Sequence, residues 1–449
     1  MNEQNLVIEE LYLESHRRQG KGNALSLMNY FSSFEIVEDI FSNTMYGTLI
    51  LNEVRNVVSS PVEATHSPGP IIGNEKITIV LKESLNQSRI KLQFRVYTIA
   101  SRFLLNTKTQ QTVLKLISEE MLTDASLKVS RTFKDKKYSD VVFELLKREI
   151  KTRKQPNVEN TNAPKNFVLP NWNPYKAINW MAGRSISEKY IGASYLFFET
   201  MNNPLTGDFQ PSINYLTLEG LYDRGPVKTL KTTIANLIDP VQNPQEYSSF
   251  QESRINKYDF VRSFNVLENI HSGMYANRLV IHDILNKKIE SLDFNYLGTY
   301  DSFKHLNPDG RLVSSLTAPF TSEANANYVV SVKNNSYYSG SNQDESAKSY
   351  LRFRKSQLNQ LGNVRIVLNL PGDGSLSVGQ CVNVFITSPK ASEDIGGNPY
   401  DHYYSGKFLI TCVKHVITAE SPGIGVFSTI IEVSKDTLNK NPLSEGALP

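Results

Sequence analysis

The chain has 449 residues, with 48 Lys and Arg against 45 Asp and Glu, for a net charge of +3. That near balance excludes the clustered basic face of a dedicated nucleic-acid binder, and the lack of any run of about 18 apolar residues excludes a membrane-spanning helix. The length predicts roughly two to four domains of about 100–200 residues each, and 40% hydrophobic content is enough to fill their cores.

The opening MNEQNLVIEELYLESHRRQGKG is acidic where a signal peptide needs a basic region followed by an apolar one, so the expectation is folding in a reducing cytoplasm. Residues 5–110 read mostly as strands: VIEELYLES, FEIVEDIF (34–41), TLILNEV (48–54), KITIVLK (76–82) and IKLQFRVYTIA (90–100). SNTMYG reads as the turn between the second and third of these, with Gly47 supplying conformational freedom. A Pro-rich loop, SSPVEATHSPGP, fills 59–70. Alternating strands with turn signals at this spacing predict an antiparallel sandwich or small barrel.

The period then changes. QTVLKLISEEM (111–121) and SDVVFELLKREI (139–150) place their apolar residues on helical faces, the second behind Ser139 as N-cap. Residues 151–166 are polar with two prolines and read as a connector. FVLPNWNPYKAINWMAG (167–183) holds both tryptophans of the chain, Trp172 and Trp180. Asn173 suits an N-cap, Pro174 suits the first helical position, where its missing N–H costs nothing, and Gly183 marks the stop. The strand SYLFFET (194–200), the turn NNPLTGD and the strand NYLTLEGLY (214–222) follow, so the stretch predicts a short helix and then a hairpin. The tryptophans pose two alternatives, an aromatic cradle for a ligand or a packed corner clamping the helix to the hairpin. No titratable pair or Gly-rich loop accompanies them, which favours the structural role for Trp172, Pro174, Trp180 and Gly183.

Residues 256–300 read as strands again, 301–343 as loops, and AKSYLRFRKSQLNQLG as one helix ended by Gly362. Three strand blocks close the chain, at 364–389, 405–418 and 425–436. Cys381 and Cys412 lie in these apolar runs and read as two buried thiols, since no CxxC or HxxxH flanks them. The tail LNKNPLSEGALP reads as flexible.

Several of these segments, in this order, resemble the baseplate central hub proteins of contractile-tailed bacteriophages and, more distantly, the hub part of type VI secretion spike proteins. FEIVEDIFSNTMYGTLILNE and PIIGNEKITIVLK resemble the family's first tube-like strands. FVLPNWNPYKAINWMAGRS followed by GASYLFFET resembles its second domain. GMYANRLVIHDILNKK, LPGDGSLSVGQCVNV and SGKFLITCVKHVI resemble its return to a second tube-like domain. The resemblance implies a β-rich α+β fold with two tail-tube-like antiparallel β-barrel domains in one chain. The first would cover 1–112. The second would cover 231–266 and 362–440, with an α+β domain at 113–230, an insertion at 267–361 and the tail at 441–449. It further implies a homotrimer with pseudo-sixfold symmetry in the virion baseplate, assembled in the host cytoplasm. Its partners would be the tail tube protein, the central spike protein and neighbouring baseplate wedge proteins, with phage DNA passing through the channel without specific binding. The family's secretion branch continues into a needle, so here the spike is expected to be a separate protein.

The remaining motifs weigh against chemistry. No GxSxG, GxxxxGK[ST] or HExxH occurs. No catalytic, cofactor-binding or metal residues are assigned. Glu119-Glu120, Glu9-Glu10 and Glu199 are present, but nothing in the sequence marks a convergent carboxylate pair of the kind a cell-wall hydrolase needs. LPGDGSLSVGQ leads into a strand, whereas a phosphate loop leads into a helix. EDIGGNPYDHYYSG offers Asp394 and His402 for a metal, but its Tyr400, Tyr403 and Tyr404 are the better candidates for a subunit interface. The basic runs RTFKDKKYSD and KREIKTRK read as a solvated helix face. A cell-wall-degrading baseplate enzyme and a peripheral or fibre-attachment protein are the alternatives to a hub.

Overall fold

A computed structural model describes residues 6–15, 24–54, 71–83, 89–232, 253–283, 287–307, 328–332, 347–388, 400–401, 403–421 and 424–438. The loop 59–70, the tail 441–449, Asp394 and His402 lie outside these residues.

The first part of the chain is all strand: β1 (Leu6–Glu14), β2 (Ala24–Ser26), β3 (Phe31–Asp39), β4 (Tyr46–Val54), β5 (Lys76–Glu83), β6 (Arg89–Leu104) and β7 (Thr109–Ser118). An α+β region follows, with α1 (Glu119–Ser126), β8 (Val129–Lys136), α2 (Tyr138–Glu144) running into a π-helical turn at Leu145–Ile150, β9 (Gln155–Val158), β10 (Lys165–Trp172), α3 (Pro174–Ala182), β11 (Tyr195–Thr200), β12 (Ser212–Thr217) and α4 (Leu218–Tyr222). Next come β13 (Pro226–Thr232), β14 (Arg254–Ile255), β15 (Lys257–Ser263), α5 (Val266–His271), β16 (Ala276–Asp283), β17 (Lys288–Asn295), α6 (Tyr296–Thr299), β18 (Tyr328–Val332) and α7 (Ala347–Leu361). The chain closes with β19 (Val364–Pro371), β20 (Cys381–Phe385), β21 (Gly406–Ser421) and β22 (Ile424–Lys435).

The fold is β-rich, and one sheet of 14 strands runs through both ends of the chain. Its two halves repeat one topology. The first half has the spatial order β1-β5-β6-β7-β4-β3, the second β13-β20-β21-β22-β19-β15. In each half the chain lays down the two outer strands first, then fills inward from one end and the other in the same sequence. The halves differ in one pairing: β1 is antiparallel to β5, whereas β13 is parallel to β20. The halves join where β3 pairs antiparallel with β21, from Asp39 opposite Cys412 to Ser33 opposite Thr418. One core, with Phe34, Leu49, Ile79, Phe94 and Leu116, fills the first half. A second, with Val364, Leu368, Val382, Phe408 and Ile431, fills the other.

The α+β region sits between them. The hairpin β11–β12 is buried on both faces. Tyr195, Phe197, Ile213 and Tyr215 point into the region's own core with α2 and α3, while Leu196, Phe198 and Leu216 point into the second sheet core.

Several sequence expectations change. QTVLKLISEEM is strand to Ser118, and α1 starts at Glu119. The buried face of β7 carries Gln110, Thr112 and Ser118 beside Leu114 and Leu116, so polar residues hide the period of two, and pairing with β4 and β6 outweighs the helical pattern. Residues 151–166 are more than a connector, because β9 pairs parallel with β12. NYLTLEGLY turns helical at Leu218, where Thr217 Oγ1 accepts from Gly220 N–H. Ser139 lies inside α2, its N–H donating to Thr161 Oγ1. The 256–300 stretch is broken by α5 and α6. Gly47 is within β4, not in the turn, and a Cβ there would sit 2.9 Å from the Glu35 carbonyl oxygen of β3.

Candidate functional site

The aromatic corner forms as α3 with Pro174 at its first position. Asn173 precedes the helix but does not cap it through its own side chain; instead the carboxylate of Asp124 accepts from Tyr175 N–H at 2.6 Å. Asn173 Nδ2 reaches back to the Asp124 carbonyl oxygen, so α3 is tied to the end of α1. Gly183 ends the helix in ordinary right-handed geometry. Trp172 and Trp180 meet edge to face at 5.7 Å. Trp180 also packs on Phe167 of β10 and Tyr138 of α2. The tryptophans pack against the core that the hairpin residues Phe197 and Tyr215 share, with Trp180's ring contacts running to β10 and α2, and Tyr175 of the same helix meets Phe197 at 5.0 Å. Both indoles are half-buried, with Lys176 over Trp172 and Arg184 over Trp180.

Two buried carboxylates bolt the α+β region to the sheet. Glu38 of β3 is fully buried and accepts from Met201 N–H at 2.8 Å, Ser377 Oγ at 2.7 Å and Val378 N–H at 3.0 Å. It thus gathers the first half of the sheet, the β11–β12 turn and the β19–β20 loop. Burial pushes its carboxyl up to about 7, against the three donors that favour the charge. Glu199 of β11 accepts from Thr44 Oγ1, Met45 N–H and Ser118 Oγ, and pairs with Lys154, which also holds Glu120 at 2.6 Å. Burial raises Glu199 and opposes ionisation of Glu120, but Lys154 outweighs it there and holds Glu120 below its ordinary value. The sequence carries a signal for Glu38. In FEIVEDI it holds the same phase as Phe34, Ile36 and Ile40, all buried, so a lone carboxylate sits at a core position of a strand.

Beside this junction lies a cavity of about 560 Å³ lined by Lys76, Lys91, Glu119, Glu120, Lys151 and Arg153 among others. Glu119 accepts from Arg95 and Glu120 from Lys154 and Thr152, so neither stands as a free acid–base pair. Among the described residues no group of three His, Cys, Asp or Glu is placed to hold a metal, and no helix is long and apolar enough to cross a membrane. Cys381 is buried and Cys412 half-buried, both as free thiols.

Among the described residues, two strand edges carry no further strand. On one side of β6, pairing with β5 stops at Arg95, and Tyr97 to Leu104 are exposed on both faces. Among the described residues β15 pairs only with β19, and it is exposed along almost its whole length, including Tyr258, Phe260 and Val261. Of the three candidate tyrosines, one bears on the second edge. Tyr404 packs on Phe260 at 5.0 Å and its hydroxyl lies 3.0 Å from Ser263 Oγ. Tyr400 packs on Phe385, and Tyr403 lends its carbonyl oxygen to the buried Lys435 ammonium. All three are half-buried in these contacts within the chain.

No protein-family model matches the chain, and no curated protein matches it either. Solved structures do. It is similar to a tail protein from Neisseria meningitidis MC58, at 8% identity over 95% of this chain and 96% of that one, with a TM-score of 0.52. It is similar to the 43 kDa tail protein of prophage MuSo2 from Shewanella oneidensis, at 10% identity over 95% and 98%, with a TM-score of 0.51. The c3393 protein of E. coli, a type VI secretion component, also matches at 7% identity over 97% and 78%, with a TM-score of 0.43. The chain has the fold of phage tail proteins.

Proposed function

We propose that this chain is a structural baseplate hub of a contractile phage tail. It forms a homotrimer whose six tube-like units present pseudo-sixfold symmetry to the hexameric tail tube and threefold symmetry to the trimeric spike. The observation that supports this reading is the repeated strand order of the two sheet halves. The shared fold with tail proteins over 95% of the chain supports it. In this reading residues 1–112 form one tube-like barrel, and 231–266 with 362–440 the other. The α+β region braces them through Glu38 and Glu199, with Trp172 and Trp180 holding its shape. Phage DNA passes through the ring without specific binding, and baseplate wedge proteins flank it in the virion.

The test is the mass of the purified chain in solution, alone and with its phage's spike protein, followed by imaging. A trimeric ring with six similar units is expected. A monomer under both conditions contradicts the proposal.

A further inference from the structure

We infer that the cavity between the first sheet half and the α+β region is a binding site for an acidic peptide segment of a partner protein. The site goes beyond the hub reading and does not depend on it.

The basic run KREIKTRK (147–154), expected to be a solvated helix face, is helical only as far as Ile150, where the π-helical turn ends. Lys151 then takes left-handed backbone geometry, with φ +57°, and turns the chain away from the helix. That geometry is uncommon for a residue other than glycine. Beyond it the side chains alternate, with Lys151 and Arg153 exposed and Thr152 buried. Thr152 pins the segment. Its hydroxyl donates to Glu120 at 2.8 Å and accepts from Lys154 N–H at 3.1 Å. Lys151 and Arg153 are thereby set on the wall of the cavity of about 560 Å³, while β5 and β6 supply Lys76 and Lys91 to the same lining. That volume falls within the roughly 300–1,000 Å³ of ligand sites.

The electrostatics of the lining are one-sided. Five cations face two carboxylates there, and both carboxylates are engaged. Glu119 is held by Arg95 and Glu120 by Lys154, which is bound to Glu199 as well. Lys91, Lys151 and Arg153 form no ion pair among the described residues, and Lys76 reaches Glu14 only at 4.0 Å. The whole chain carries a net charge of only +3, so three unpaired cations at one concavity are a local excess. A concave wall of one sign focuses the field on whatever enters it.

The construction of the lining selects among anions. Compact phosphate sites are built from backbone N–H groups at a Gly-rich turn or a helix N-terminus. No glycine is among the described lining residues, and the start of α1 at the cavity is taken by Glu119 and Glu120. The free cations are spread over β5, β6 and the 151–153 segment, and all but Arg153 are lysines. That spread matches several carboxylates along an extended chain better than one compact anion. Leu92, Phe94 and Ile150 complete the lining and offer hydrocarbon to the methylenes of glutamate side chains.

The experiment uses the full chain and a fluorescently labelled hexaglutamate peptide, read by anisotropy at low ionic strength. The peptide should bind, and added salt should weaken the binding. Lys91→Glu and Arg153→Glu change exposed side chains and should keep the fold by circular dichroism. Each should weaken binding about tenfold, and the double variant further. Lys108→Glu, exposed at the turn after β6, should leave binding unchanged. Absence of binding overturns the site, and so does an equal loss from Lys108→Glu, which would mean diffuse attraction only. Inorganic pyrophosphate is the second probe. If it binds more tightly than the peptide, the cavity is a phosphate site and the peptide assignment falls. Each of these failures leaves the light-scattering test of the hub reading untouched.

Discussion

Glu38 is the residue on which most depends, because its three donors come from three different parts of the molecule. Its carboxyl is raised from 4.5 to about 7, so the protonated form is the one the fold prefers. A raised acid contributes stability that is fully present below about 4.5 and is lost as pH rises through about 7, an effect of roughly 3 kcal/mol. Glu38→Gln should remove that slope. The expected outcome is a loss of about 1–2 kcal/mol near pH 5, from one backbone N–H left facing the amide, and a flatter stability curve between pH 5 and 8 than the parent shows. Chemical denaturation across pH checks it, and parallel curves would contradict the assignment. Trp180 is a lesser anchor. It is half-buried against Phe167, Tyr138 and Trp172, so Trp180→Ala should cost about 2 kcal/mol, below the roughly 3–5 kcal/mol of a fully enclosed aromatic. A loss of self-association with unchanged stability would instead place Trp180 in a binding surface.

Among the elements, α3 shows how far local rules reach. Pro174 and Gly183 mark its ends in the sequence, but its cap is Asp124, 50 positions upstream and brought in by the end of α1. Asp124→Ala should therefore destabilise α3 by about 1–2 kcal/mol, with thermal unfolding as the readout; an unchanged midpoint would show that the Tyr175 N–H finds another acceptor. The same contrast explains what is legible in the sequence. Strands with clean alternation, such as β3, β4, β5 and β19, are readable because one face meets a core and the other water. β7 is not, because its buried face includes Gln110, Thr112 and Ser118, satisfied by partners that only the fold assembles. β9 is short and polar, and becomes a strand only because β12 is there to pair with it. The ring contact of Trp180 with β10 is not legible for a related reason: β10 is brought beside α3 by pairing with β8.

At the scale of the whole molecule, the order of resembling segments points to the fold, which the likeness to solved tail proteins bears out. The resemblance led to an expectation of two tube-like domains, but no residue-level repeat marks the repeated strand order, because that order is carried by register and not by residue identity; positions such as Glu35 and Asp259, or Val37 and Arg262, share a place in the sheet and little else. The central claim of the proposed function is an assembly claim, that three copies of this chain form the hub. The most direct measurement is the mass of the full chain by light scattering across concentration, alone and with the spike protein. The account predicts a species of three times the chain mass. A monomer under every condition would contradict it.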